Sequence, residues 1–252
     1  MNAGAQPIFV GRVLWPGASE PDDAVIKLYD NDSCGIANEA IGYAANSMRG
    51  VKQPRQGAIL LLSQRELPKL DIDLSKYIDS ETGIAACWAT SLEQHTKPFR
   101  FVRRIPTFTA SQVNAFYKSP FCRLLTSVDH VTGNNDRHEG NFLYLDDLSY
   151  LAIDQGCIGG GLKWHSSWPD PRPRNELLAL VETTLSSSEL SIWKAATILE
   201  HERSQASWVA HFKALASELT GILDDDQIET IIEYMAERAD GTNYAVGCGR
   251  LL

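Results

Sequence analysis

"HVTGNNDRHEGNFLYLDDLSYLAIDQG", residues 130–156, decides how the rest of this chain is read. It follows the helix-like "FCRLLTSVDHV" and crowds Asn134, Asn135, Asp136, Arg137, His138, Gly140 and Asn141 ahead of a strand-like "FLYL". Two apolar runs then flank the turn-prone "DDLS", which reads as a β-hairpin with a four-residue loop. Symmetric pairing around that loop sets Leu145 against Tyr150, Leu143 against Ala152 and Asn141 against Asp154. Opposed residues of an antiparallel ladder lie about 4.5 to 5.5 Å apart at Cα, so an amide and a carboxylate would arrive together at the open end of the hairpin.

Oxygen ligands of this kind suit Mg²⁺, which takes one or two carboxylates together with substrate phosphates and water. Asp136 stands five residues before Asn141, where it can orient or deprotonate an incoming hydroxyl. A base, two metal ligands and a loop that fixes their spacing make a phosphoryl-transfer site. Such a site also needs a cation on the nucleotide phosphates. "VIKLYD" supplies Lys27 between apolar neighbours of a strand, and Glu39 lies on the helix candidate that follows, "GIANEAIGYAANSMRG". Asp, Asn and Gly are also ordinary turn residues. The convergence of the hairpin with an upstream Lys and Glu in kinase order argues for chemistry instead.

"GNNDRHEGNFLYL" with "LAIDQG" resembles the HipA-like kinases, whose catalytic loop carries an N-x-D-x-H-x-x-N core and whose metal-binding Asp follows a short hairpin. The same residues are similar to the D-R-H-x-x-N and I-D-x-G elements of phosphatidylinositol kinases. "VIKLYD" and "ANEAIGYAA" look like that family's phosphate-binding Lys strand and Glu helix. The resemblance implies ATP and Mg²⁺ as cofactors, Asp136 as catalytic base, Asn141 and Asp154 as metal ligands, Lys27 on the phosphates and Glu39 as its partner. It matches Asn134 to the first position of the loop core and His138 to a residue supporting loop geometry. It covers roughly residues 20 to 160 and favours a protein Ser or Thr hydroxyl as acceptor, with Ser166 and Ser167 as candidate targets. Arg137 is placed to meet either a phosphate or a loop acid. The stretch "FVGRVLWPGASEPDD" before Lys27 holds only Gly11 and Gly17, so a Gly-rich phosphate cover is missing, and no Walker-type sequence is present.

Outward from this core, the chain is 252 residues long, with 44% apolar and 22% charged residues and a formal charge of −9. An acidic chain of this kind is not built to live on a nucleic-acid backbone, so no direct nucleic-acid partner is expected. No run approaches the roughly 18 apolar residues of a membrane span, and the first residues do not read as a signal peptide. A cytoplasmic location is the expectation, with a protein or small-molecule hydroxyl acceptor as partner. The five Cys are scattered and read as buried free thiols.

Strand candidates "PIFVGRVLW", "AVIKLYD", "QGAILLLS" and "ACWATSL" occupy the first part of the chain. The last two are candidates for the segment that would hold adenine. Ile36, Ala40, Ile41, Ala44 and Met48 give the helix its stripe, and Gly50 its stop. "TASQVNAFYKS" starts a helix with Thr109 or Ser111 as N-cap, and four amphipathic segments follow from Asn175 onward. Trp164, Trp168 and Trp193 read as packing aromatics. Strands first and helices later predict an α+β protein with a two-lobed, kinase-like fold: a small strand-rich N-lobe over 1–95 and a mainly helical C-lobe over 96–252. Two rival functions stand beside a HipA-like protein kinase. One is a small-molecule or lipid kinase, the other a pseudokinase acting as a binding module.

Overall fold

The computed structural model describes residues 6–145, 149–164 and 173–250. All four early strand candidates form, as β1 (Ile8–Val13), β2 (Asp22–Leu28), β3 (Gly57–Ser63) and β4 (Ile84–Ser91). They make one antiparallel sheet in the order β1-β2-β4-β3. Side chains alternate across a strand, and β2 uses both faces. Ala24, Ile26 and Leu28 join Ala85, Cys87 and Ala89 of β4 in a small core with Trp15 and Leu67, against which Leu70, Leu74 and Tyr77 of the β3–β4 connection pack. Val25 and Lys27 therefore face the other way, with Lys27 directly opposite Trp88.

Helix α1 (Gly35–Arg49) lies on that second face and ends at Gly50 as its stripe predicts. Its Ile41 and Ala45 are fully buried, but in the helical core rather than in the small sheet core. The helix thus joins the sheet to the rest of the chain. Its first turn comes so close to Tyr29 that a Cβ on Gly35 would stand 1.9 Å from the ring, which only glycine permits.

The remainder is mainly helical: α2 (Phe99–Val102), α3 (Ala110–Lys118), α4 (Pro120–Thr132), α5 (Glu176–Thr184), α6 (Ser187–Glu202), α7 (Gln205–Leu219), α8 (Asp225–Arg238) and α9 (Gly241–Gly247). A second sheet, order β5-β6-β7, joins β5 (Lys97–Pro98), β6 (Phe142–Tyr144) and β7 (Tyr150–Ala152). Thr109, not Ser111, caps α3: its side chain accepts from Gln112 N while Gln112 reaches back to Thr109 N. At the centre runs α4, whose Cys122, Leu125, Val128 and Val131 are buried against its neighbours. Trp164 and Trp193 are buried as packing aromatics, Trp193 donating to the Tyr117 carbonyl, while Trp168 lies outside the described residues. All five Cys are free, and all but Cys157 are buried. The architecture is α+β, a strand-rich sheet region followed by a helical part. Among the described residues no helix is long and apolar enough to cross a membrane.

The helical core also holds two histidines whose charging burial opposes in the folded state. His201 is fully buried, its Nε2 donating to the Ala239 carbonyl and its Nδ1 meeting Ser127 Oγ at 2.7 Å. Burial pulls it down to about 4, with Arg49 adding to and Asp240 opposing the shift. His130 packs edge-on to the Tyr244 ring, and burial together with Arg238 and His201 lowers it to about 3. Unfolded chains protonate these groups near their ordinary value, so the unfolded state binds more protons as pH falls below about 6.5. The stability they contribute is present above that value and lost as pH falls toward 4. The melting temperature is expected to drop between pH 7 and pH 5, and to drop less in His201→Gln. Equal slopes for the two proteins would refute this.

Candidate active site

The β6–β7 hairpin forms, but in a register one residue away from the symmetric expectation. Phe142 pairs with Ala152, Leu143 with Leu151 and Tyr144 with Tyr150, and Leu145 N donates to Ser149 O. Three residues rather than four separate the last paired positions; Asp146 and Asp147 fall among them and lie outside the described residues. Asn141 consequently stands opposite Ile153, whose N–H donates to its carbonyl at 3.0 Å, and not opposite Asp154. A one-residue slip would normally send Asp154 to the other face. The backbone corrects for it: Asp154 adopts φ 63°, a left-handed turn that Asp tolerates better than most residues. Its carboxylate so meets Lys27.

Lys27 Nζ lies 2.8 Å from Glu39 Oε1 and 2.8 Å from Asp154 Oδ1. Glu39 is 2% exposed, and both its oxygens are used. Oε1 also accepts from Tyr29 OH at 2.7 Å, and Oε2 accepts from Gln155 N at 2.9 Å. One carboxylate therefore ties β2 to α1 and to the chain leaving β7. Burial alone would lower the Lys27 pKa, but the two carboxylates outweigh burial and raise it. Burial would likewise raise Asp154, yet the Lys27 ammonium holds its carboxyl below the usual range. Two carboxylates against one ammonium leave excess negative charge at a half-exposed opening, where Asp154 is 45% accessible.

Asp136 lies exposed on the loop between α4 and β6. Gly133 ends α4 at φ 68°, and a Cβ there would come within 2.1 Å of Tyr234 OH, so the sharp exit into the loop depends on glycine. Asn134 is buried, and its Oδ1 accepts from Asp136 N at 3.1 Å. His138 accepts from Gly140 N through Nδ1 and starts the short turn Glu139–Asn141. Asn135 Nδ2 donates to the Gly160 carbonyl, and Cys157 Sγ stands 3.9 Å from Asp136 Oδ2. Burial, reinforced by Asp136, pushes that thiol up to about 12. Asn141 is 2% exposed, and its Oδ1 is buried without a hydrogen-bond partner. Buried polar atoms seldom stay unpaired, and Asn134 Nδ2 and Gln155 Nε2 share this state with Asn141 Oδ1.

Further residues hold the site in place. Arg137 has an entirely buried side chain and grips Asp129 of α4, with Nε to Oδ2 and Nη2 to Oδ1 both at 2.9 Å. Its Nη1 donates to the Ile153 carbonyl at 2.7 Å, and its Nη2 also reaches Gln155 Oε1. Arg137 therefore faces a helix acid and the strand end, not a phosphate. Asn38, the residue before Glu39 on α1, donates to the Gly156 and Gly161 carbonyls and accepts from Trp164 Nε1 at 2.7 Å. Asn38 and Gln155 look ordinary in the sequence because their partners lie far away along the chain, and Tyr29 and Asp129 because a loop separates each from its partner ten or eight residues on.

A cavity of about 280 Å³ opens against Lys27 and Asp154. Val25, Trp88 and Thr90 wall it from the sheet, Leu143, Ala152 and Ile153 from the hairpin. The segment leaving β4, through Ser91, Leu92 and Glu93, forms its edge, whereas β3 supplies no lining residue. Of the two candidate holding strands, "ACWATSL" is the one at the cavity. A larger hollow of about 960 Å³ among α5, α8 and α9 is lined by none of Lys27, Glu39, Asp136, Asn141 or Asp154. Ser166 and Ser167 lie outside the described residues. No protein-family profile and no curated protein matches the chain.

Proposed function

We propose that the chain is an ATP- and Mg²⁺-dependent kinase of the HipA-like kind, with two kinase-like lobes, that transfers the γ-phosphate to a Ser or Thr hydroxyl of a protein. The observation that carries this reading is Lys27, buttressed by a buried Glu39 and turned toward Asp154 at the mouth of a largely apolar cavity. An apolar slot with a few convergent charges is how proteins hold a nucleotide base and its phosphates. Val25, Trp88, Leu143 and Ile153 would take the adenine, and Lys27 the α- and β-phosphates. Glu39 keeps the ammonium pointed while Tyr29 and Gln155 fix Glu39.

The donor set fits Mg²⁺: an unpartnered buried amide oxygen on Asn141 and an ionised, half-exposed carboxylate on Asp154. When bound, the ion would neutralise charge on the phosphate oxygens. Asp136, exposed and held by Asn134, would accept the acceptor's hydroxyl proton as its oxygen bonds to the γ-phosphorus and the bridging oxygen leaves with ADP. The loop contributes position above all, since a reacting pair held in line gains most of its advantage from lost freedom already spent in folding.

The test is radiolabel transfer from ATP, with and without EDTA, to protein and to small-molecule hydroxyl acceptors. Mg-ATP at about a hundred times its Kd should stabilise the fold by about 2.7 kcal/mol, or roughly 5–10 °C in melting temperature. EDTA should remove both effects. Label confined to soluble or lipid products favours a small-molecule kinase. A Mg-ATP melting shift with no transfer to any acceptor makes the chain a pseudokinase, and no shift at all removes the nucleotide reading.

A further inference from the structure

Between Glu93 and Asp129 this acidic chain holds no acid and six cations: Lys97, Arg100, Arg103, Arg104, Lys118 and Arg123. Lys118 and Arg123 turn to the helical part, where they meet Glu189 and Glu200. The other four gather on β5, on α2 and just past it, beside the loop that carries Asp136. Arg103 is paired with Glu139, which also accepts from Tyr117 OH. Lys97, Arg100 and Arg104 are exposed, and no carboxylate among the described residues pairs with them. Arg100 lies 4.8 Å over the Phe101 ring and runs alongside Gly140, its Cδ 3.3 Å from where a Cβ would stand; the His138 ring borders the same glycine. Phe101 and Ile105, 51% and 42% exposed, stand among these cations along the chain. The result is a basic, partly apolar shelf adjoining the catalytic loop.

We infer that this shelf selects the acceptor: it takes an acidic protein segment, so that a Ser or Thr flanked by Asp or Glu is presented to Asp136. The inference rests on the proposed kinase reading for the transfer step, but the docking itself does not need catalysis. Guanidinium groups bind carboxylates in paired, directional hydrogen bonds. The shelf draws on Lys97 to Arg104 alone in a chain of net charge −9, so an extended anionic surface would meet repulsion around it, whereas a short acidic segment touches the shelf alone.

The experiment measures fluorescence-anisotropy binding of the full chain to a labelled Glu-Glu-Ser-Glu-Glu peptide and to its Gln-Gln-Ser-Gln-Gln counterpart. Exposed pairs are individually weak, so the Glu peptide is expected to bind about tenfold tighter at low salt. The advantage should shrink at high salt. Arg100→Glu with Arg104→Glu should erase it while leaving the Mg-ATP melting shift intact. Equal binding of the two peptides, no binding of either, or binding to phosphatidylserine vesicles without a Glu-over-Gln preference would overturn the inference. Label transfer to the same peptides is scored apart: a chain that prefers the Glu peptide but never phosphorylates it keeps the shelf and loses the kinase. A chain that phosphorylates both peptides equally and binds them equally keeps the kinase and loses the shelf.

Discussion

Asp154→Asn is expected to lower phosphotransfer by about 10²- to 10³-fold while the fold remains intact, the size of loss seen when one preorganised charge-stabilising group is removed. Asparagine is the informative replacement because Asp154 sits at φ 63°, a conformation that Asn also accepts, so the backbone after β7 need not move. What is lost is charge. Asp154 stays ionised because Lys27 outweighs the cost of burial, and Lys27 in turn stays with Glu39 when Asp154 is neutralised. The variant should therefore need more Mg²⁺ for half-maximal rate and recover part of its activity at high Mg²⁺. Asp136→Asn should fall by about 10²- to 10⁴-fold, as when a general base is removed, with no change in its Mg²⁺ requirement. Steady-state rates over a Mg²⁺ titration separate the two. Unchanged rate and Mg²⁺ dependence in Asp154→Asn would sink the assignment of that residue.

The sequence displayed the sheet, the longer helices and the Lys27 and Glu39 pair because each is local: alternation in β2, a helical stripe in α1, a cap at Thr109. It missed α2 and α9, whose four and seven residues are too short to develop a stripe. The hairpin was legible but its register was not, since the run from Leu145 to Tyr150 does not reveal which residues close the ladder, and one residue decides the face. Asp154 reaches Lys27 through a left-handed backbone step that no pattern announces. Glu39 was visible as an acid on a helix, yet its hold on Gln155 N spans 116 positions. Asn134 and His138 could be placed on the loop, while the hydrogen bonds they make to Asp136 and Gly140 depend on how the loop turns after Gly133. Arg137 looked equally suited to a phosphate or an acid. Burial chose between them, because a guanidinium with no access to solvent requires a charge partner inside, and Asp129 of α4 lies within reach.

That buried pair yields the largest expected effect on stability. Arg137→Met keeps most of the side chain's volume but leaves the fully buried Asp129 carboxylate without its two guanidinium contacts, and the Ile153 carbonyl without its donor. Breaking one partner of a buried pair costs about 3–5 kcal/mol, a large part of the 5–15 kcal/mol that holds a typical fold. Burial already drives the Asp129 carboxyl up despite Arg137, so losing the guanidinium should drive it further up and favour the protonated form. Adding Asp129→Leu should restore part of the loss, since two apolar groups of suitable volume need no mutual compensation. The same guanidinium anchors the backbone just before Asp154, so the double variant should fold better than Arg137→Met yet remain poor in phosphotransfer. Urea denaturation of the single and double variants measures the coupling, and their label transfer measures the anchoring. A loss below about 1 kcal/mol in Arg137→Met, which is the scale of an exposed pair, would mean that the contact is not buried in solution. Full transfer activity in the double variant would mean that Arg137 stabilises α4 without positioning Asp154.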